Sequence, residues 1–373
     1  MAENSKIEWC HHTFNPWRGC RAISDACANC YAKVLVEGRL QQDFSARIRA
    51  AESTWKQPLA WNRKAAKEGV RYRVFCASLA DVFDAEVPDE WRLDLFRLIV
   101  QTPWLDWLDW LLLTKRPKVA REFLSNFAMA PGKSGFLTHN GDTPRGWGGT
   151  GEIIHGVGHD QQWPLPNVWL GTTVENQAMA EARILHLLAT PAAVRFLSME
   201  PLLGPVDLTA VPWSFNGCSG ETVKTINALT GNITVNDSVF GGGGGVVGLD
   251  WVITGGESGP GARPSHPDWF RSLRDQCAAA GVAYLHKQNG EWIHGAQGVL
   301  AGGPKTGRRG DISATGRYVI EIRDGEGSRQ VEADAHHWNA RSHCLGDTSF
   351  RVGKKAAGRH LDGVLHDGYP VVG

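Results

Sequence analysis

The sequence predicts an α/β fold, built as a partial or full (β/α) TIM-like barrel with Gly-rich insertions. Three observations carry that expectation. Short apolar runs alternate with amphipathic stretches, polar residues cluster directly after each run, and two Gly-, Asn- and Thr-rich stretches break the alternation without helical periodicity. Buried parallel strands read as continuous apolar runs, and each needs a crossover, usually helical, to reach the next. An open doubly wound sheet satisfies the same alternation and is the architectural alternative.

RYRVFCAS (71–78) reads as the first strand of the series, and VPDEWRLDLFRLIVQTP as its helix, with Pro88 near the start and Trp91, Leu95, Leu98 and Ile99 on one face. WLLLT (110–114) precedes KRPKVAREFLSNF, VWLGTT (168–173) precedes ENQAMAEARILHLLAT, and VRFLS (194–198) precedes a turn-rich stretch. WVITGG (251–256) leads to PDWFRSLRDQCAAAG, where Trp269, Phe270, Leu273 and Cys277 recur at helical spacing and Gly281 is placed to end the helix. VAYLHKQ (282–288) is the last strand. Residues 1–288 therefore form the barrel, with insertions at about 129–166 and 209–249, each a candidate lid or decoration. Residues 289–373 form a C-terminal extension packing on it, and 289–350 read as irregular.

Composition narrows the class. No apolar run in the 373 residues approaches the ~20 that a membrane span requires. Lys+Arg and Asp+Glu balance at 39 each, so total charge advertises neither a nucleic-acid nor a membrane partner. MAENSKIEW contains no apolar segment that would direct secretion, and Cys76, Cys218, Cys277 and Cys344 are scattered singly, so the chain reads as cytoplasmic and reduced. Most of the sixteen tryptophans, among them Trp104, Trp107 and Trp110, read as core.

Cys20, Cys27 and Cys30, in GCRAISDACANCYA, constrain the chemistry most. A C-x6-C-x2-C loop supplies three thiolates, the number that leaves the fourth iron of a cubane cluster open. A structural zinc site needs four ligands, and Cys10, His11 and His12 are the nearby candidates for the fourth. The rim of the predicted barrel supplies the other groups: Ser78 and Asp81; Thr114, Lys115 and Arg116; Thr172, Thr173 and Glu175; Ser198 and Glu200; Gly255, Gly256, Glu257 and Ser258; Lys287 and Gln288. Each set follows a strand, where barrels collect catalytic and binding groups.

The strings IEWCHHTFNPWRGCRAISDACANCYA, ASLADVF, LLLTKRP, WLGTTVEN, RFLSMEPLLGPV, DWVITGGESGPGARP, HKQNGEW and RVGKKAAGRHLDG, in that order, resemble the three-Cys-motif phage protein family, which is similar to radical S-adenosylmethionine (radical SAM) enzymes. The resemblance implies a barrel of the radical SAM type in which Cys20, Cys27 and Cys30 ligate a [4Fe–4S] cluster and S-adenosylmethionine chelates its open iron. Reductive cleavage would give a 5′-deoxyadenosyl radical, with a reductant for the cluster as partner. The usual spacing there is C-x3-C-x2-C, and this chain carries a longer first spacer. The phage setting implies the cytoplasm of a host bacterium and modification of DNA bases or nucleotides, for example isomerisation of an aminoacyl group on a hypermodified thymine.

Position and chemistry assign the remaining roles. Asp81 is a candidate acceptor for the cofactor's ammonium and Lys115 or Arg116 for its carboxylate; Thr173 and Glu175 are candidates for ribose hydroxyls, and Gly255 and Gly256 for close approach of adenine. Ser198, Glu200, Glu257 and Lys287 would face the substrate, with Glu200, Glu257 and Lys287 as the catalytic candidates and a Glu–Lys pair also readable as structural. Arg351, Lys354, Lys355 and Arg359 are candidate phosphate contacts. Two competing classes stand beside this: a non-catalytic zinc- or cluster-stabilised protein that binds nucleic acid or a partner, and a hydrolase pairing Glu200 with Glu257.

Overall fold

Seven parallel strands form the centre of the molecule: β1 (His12–Phe14), β2 (Tyr72–Cys76), β3 (Leu108–Thr114), β4 (Val168–Thr173), β5 (Val194–Met199), β6 (Trp251–Gly255) and β7 (Ala283–Gln288). The structure is a computed structural model that describes residues 3–101, 107–125, 127–128, 138–139, 164–213, 224–235, 238–240, 247–294, 318–324, 327–333, 349–351 and 353–371. The strands lie side by side in the order in which the chain makes them, each parallel to its neighbour. A doubly wound sheet would reverse that order at a switch point. Without a reversal, right-handed crossovers all return over the same face, and the sheet curls into a half-barrel. The six predicted strands are all present; β1, three residues long, is too short to display a period in sequence.

Side chains alternate along each strand, so the two faces build separate cores. On the outer face Val74, Cys76, Trp110, Leu112, Leu170, Leu197 and Val252 are buried with the helices. These helices are α2 (Gln57–Glu68), α3 (Asp89–Gln101), α4 (Pro117–Ser125), α5 (Gln177–Leu188) and α6 (Pro267–Ala280); α1 (Tyr31–Gly38) belongs to the cysteine loop instead. Asn176 caps α5 by accepting from the Met179 amide, and Gly281 ends α6 with a left-handed φ of 69°. On the inner face Phe75, Leu111, Trp169, Phe196, Trp251, Ile253 and Leu285 meet Trp9 and Cys10 and fill the lower half of the concavity. Each such large side chain contributes about 1.5–3 kcal/mol on burial.

Between β5 and β6 the described residues contain no helix. Val211–Pro212, Lys224–Ile226, Ile233–Val235 and Ser238–Phe240 form an antiparallel sheet, and Leu208, Val211, Ile226 and Leu229 join the outer core. The described part of the 209–249 insertion thus replaces a crossover helix and is no lid. Of the 129–166 insertion, only 138–139 and 164–166 fall within the described residues.

Residues 289–350, read as irregular in sequence, contain a second antiparallel sheet of Trp292–His294, Ser349–Arg351, Tyr318–Asp324 and Gly327–Ala333. The chain then returns to the half-barrel. Asn289 holds it by donating to the carbonyls of Ala357 and His360. The free edge of β7 is covered next: the His286 amide donates to His366 O at 3.0 Å and the Gly368 amide to Tyr284 O at 2.9 Å. Tyr369 packs on Trp251 and donates its hydroxyl to Glu8 O at 2.9 Å, sealing the base of the half-barrel. Among the described residues no helix is long and apolar enough to cross a membrane.

Candidate functional site

The inward alternation that builds the aromatic floor continues past the strand ends as a polar wall. Above Phe75, Leu111, Trp169, Phe196 and Leu285 follow Ala77, Lys115, Thr173, Ser198 with Glu200, and Lys287, and these line a cavity of about 1160 Å³. The loop carrying Cys20, Cys27 and Cys30 forms another wall, and all three cysteines border the same space. Of the residues after the strand ends, Ser78, Asp81, Lys115, Thr173, Glu200 and Lys287 border this space, whereas Thr172, Glu175 and Gly255 do not.

Local sequence fixes the thiol loop. Gly19 adopts φ 98°, and a Cβ there would lie 2.0 Å from Ala46 O, so only glycine lets the chain pass this close before Cys20. The Cys20 amide donates to Phe44 O, Cys27 ends the short helical turn Asp25–Cys27, and Cys30 is the N-cap residue of α1. Arg116 Nη1 points at Cys20 Sγ, 3.6 Å away, and Nη2 donates to Arg21 O at 2.8 Å. Burial pushes the Cys20 thiol up to about 11, with Asp81 adding to the shift and Arg116 opposing it. Burial also opposes ionisation of Cys27, but backbone groups at Ile23 and Ser24 together with the Lys115 ammonium outweigh it and bring that thiol below its ordinary value. Among the described residues no three His, Cys, Asp or Glu side chains already converge as a metal cage. The donor set itself, three thiols from one loop with cationic groups beside two of them, fits a thiolate-ligated group.

Several candidate roles change once partners are visible. Asp81 is saturated: Oδ1 accepts from Thr114 Oγ1 (2.6 Å) and the Phe83 amide (2.9 Å), and Oδ2 from the Lys115 amide (3.0 Å) and Arg116 Nη1 (2.9 Å). It is a bracket for Arg116 rather than an acceptor for a cofactor's ammonium, and Arg116 in turn serves Cys20. Lys115 keeps its ammonium without an ion-pair partner among the described residues. Thr173 and Ser198 line the cavity, whereas Glu175 does not. Glu175 is fully buried and accepts from Arg183 Nη1 at 2.7 Å, which removes it from any ribose contact. Thr172, on the opposite face, donates to Thr114 O.

Of the two glutamates that could have formed the Glu–Lys pair, it is Glu200 that meets Lys287, with Nζ 2.8 Å from both carboxylate oxygens and Gln288 Nε2 adding a bond at 2.5 Å. Glu257 borders the cavity, but its carboxylate is turned to Arg263 and Asn29, so it is unavailable as a hydrolytic partner of Glu200. Burial works against its charge, yet those donors outweigh it and hold the carboxyl below the usual carboxylate range. The space a side chain at Gly256 would fill holds Asn289 O, 2.1 Å from the Cβ position, and at Gly255 it holds the Glu200 carboxyl at 3.1 Å. At both positions the absent side chain makes room for protein, and Gly256 but not Gly255 borders the cavity.

The proposed fourth zinc ligands lie elsewhere. Cys10 belongs to the inner floor, where burial pushes its thiol up to about 11; His11 Nδ1 accepts from the Arg73 amide, and His12 stacks on Trp61. None of the three borders the cavity. Of the basic C-terminal residues, Lys354 reaches the cavity, Lys355 is exposed and Arg359 is paired with Asp367. Arg351 lies on the strand Ser349–Arg351.

A family model described as "Protein of unknown function (DUF5131)" matches residues 4–370. The chain belongs to that family. No curated protein and no solved structure matches it. In this DUF5131 chain the match takes in the thiol loop, all seven strands and the closing tail, so the whole half-barrel is one family unit. Two site residues escaped the sequence reading, Asn29 and Arg263. Asn29 stands between two cysteines and Arg263 inside the turn-like GPGARP, and neither type nor spacing distinguishes them there. Their pairing with Glu257 exists only once β6 is beside the loop.

Proposed function

We propose that this DUF5131 protein is a radical SAM-type enzyme in which Cys20, Cys27 and Cys30 hold a [4Fe–4S] cluster and S-adenosylmethionine binds in the adjoining cavity. The observation that carries the reading is that all three cysteines and the inward strand-end residues border one cavity of about 1160 Å³. That volume exceeds the roughly 300–1,000 Å³ of an ordinary single-ligand pocket, leaving room for a substrate beside a cofactor. When bound and reduced, the cluster would supply the electron that cleaves S-adenosylmethionine to methionine and a 5′-deoxyadenosyl radical.

The chain's own residues do the rest. Arg116, bracketed by Asp81, directs an N–H at the Cys20 sulfur and offsets its negative charge. Lys115 offers a cation, and Thr173 and Ser198 offer hydroxyls, toward the carboxylate and hydroxyl groups of the cofactor. Glu200 and Lys287 present a fixed ion pair at the floor, and the aromatic layer beneath excludes water from below. Lys354 beside the cavity favours an anionic substrate, in keeping with a DNA base or nucleotide; isomerisation of an aminoacylated thymine is the concrete form of this proposal. A closed four-ligand zinc site is disfavoured because Cys10, His11 and His12 border another part of the molecule.

The test is anaerobic purification with iron, sulfide and zinc analysis, then reduction with S-adenosylmethionine and chromatography for 5′-deoxyadenosine. Roughly four irons per chain, and a product that vanishes in Cys27→Ala, would support the reading. Stoichiometric zinc, no iron uptake on reconstitution and no cofactor cleavage would replace it with a metal-clipped binding protein.

A further inference from the structure

The thiol loop is gripped from two sides by groups on different strands. At its first cysteine the grip comes from the end of β3, where Arg116 reaches Cys20 Sγ and Arg21 O. At its second half the grip comes from the loop after β6. Asn29 Nδ2 donates to Glu257 Oε2 at 3.1 Å and to Gly261 O at 2.6 Å. Arg263 places its amide and Nε on Glu257 Oε2, both at 2.8 Å, and Nη2 on Oε1 at 2.6 Å and on Asp25 O at 3.1 Å. A Cβ at Gly261 would stand 2.5 Å from Asn29 Oδ1, so the contact also requires glycine there.

We propose that Asn29 and Arg263 are positioning residues that fix the Cys27–Cys30 half of the loop through Glu257, independently of Cys20, which Arg116 fixes. A Glu–Arg pair that merely closed its own turn would not send Nη2 to Asp25 nor engage Asn29. Between the two grips Arg21, Ala22 and Ile23 are exposed. The two grips fall on Arg21 and Asp25, both inside the six-residue spacer, so the spacer is the stretch that joins them. The inference rests on the reading above only for what the thiols bind.

The experiment is site-resolved alkylation of the full chain, reduced and chelator-treated, with iodoacetamide and peptide mass spectrometry. Asn29→Ala and Arg263→Ala are expected to speed alkylation of Cys27 and Cys30 by about fivefold or more, the equivalent of one lost hydrogen bond, while Cys20 holds its rate. Arg263→Lys should restore part of the protection, and Arg116→Lys should move Cys20 alone. The buried thiols Cys76 and Cys277 report global opening. Unchanged rates at Cys27 and Cys30, or rates at Cys76 and Cys277 rising in parallel with them, would overturn the proposal. Because no metal is present in the assay, the outcome stands apart from whether a cluster forms.

Discussion

Lys287 donates to both carboxylate oxygens of Glu200 at 2.8 Å, joining the ends of two strands separated by β6 across the cavity floor. Both side chains are less than one-fifth exposed. Removing one partner leaves the other's charge unpaired in a largely buried position, which costs more than the pair itself is worth. Lys287→Met is expected to lower stability by about 3 kcal/mol, and Glu200→Gln added to it should recover most of that. Urea unfolding of the four proteins in a double-mutant cycle checks this, and strictly additive losses would show that the two groups do not interact.

Arg92 organises the loop that presents Asp81. It is buried on α3 and donates to Val82 O at 3.0 Å, Asp84 O at 2.9 Å and Val87 O at 3.4 Å, besides pairing with Asp89. A lysine cannot serve three carbonyls in this planar fan. Arg92→Lys should cost about 2 kcal/mol by stranding buried carbonyls, and Arg92→Ala more. Chemical denaturation measures the loss; a variant as stable as the parent would mean that the loop holds itself.

His286 makes stability depend on pH. The ring is fully buried between Thr254 Oγ1 (3.0 Å) and Asn289 Oδ1 (3.1 Å), and burial lowers its pKa from 6.5 to about 4. Between those values the unfolded chain binds the proton and the folded chain does not, so stability is fully present above pH 6.5 and is lost as pH falls toward 4. The loss is on the order of 3 kcal/mol. His286→Gln should make the urea midpoint fall less steeply across this window, with buried His12, also lowered to about 4, supplying part of the remainder; an unchanged slope would assign the dependence to other groups.

Tyr369 links the tail to the inner floor. Tyr369→Phe removes only the hydroxyl bond to Glu8 O and should cost about 1 kcal/mol, whereas Tyr369→Ala also uncovers Trp251 and should cost about 3 kcal/mol. Thermal melting separates the two, and equal melting points would contradict the packing role.

The parts of the fold legible in sequence were those whose signal is local. WLLLT and VWLGTT announce strands because both faces are buried, and Leu95 with Ile99, or Phe270 with Leu273 and Cys277, announce helices because one face is. His12–Phe14 gives no such signal, and the strands at 211–240 sit among Gly, Asn and Thr that read as loop. Site residues were legible by location and not by partner. Asp81, Glu175 and Glu257 are acidic groups after strands, but Arg116, Arg183 and Arg263 had engaged them before any ligand arrives. Asn29 meets Glu257 across 228 positions, a distance that no window on the sequence spans.

The meeting of Tyr369 with Glu8 has a consequence for biosynthesis. All seven strands have been translated by Gln288, yet the outer edge of β7 and the ring of Trp251 stay uncovered until the segment around His366–Tyr369 leaves the ribosome. At about 5–20 residues per second the interval is roughly ten seconds. During it the nascent half-barrel offers an unpaired strand to any neighbour on the same polysome, so a premature stop anywhere in the last stretch yields an aggregation-prone product rather than a shortened half-barrel.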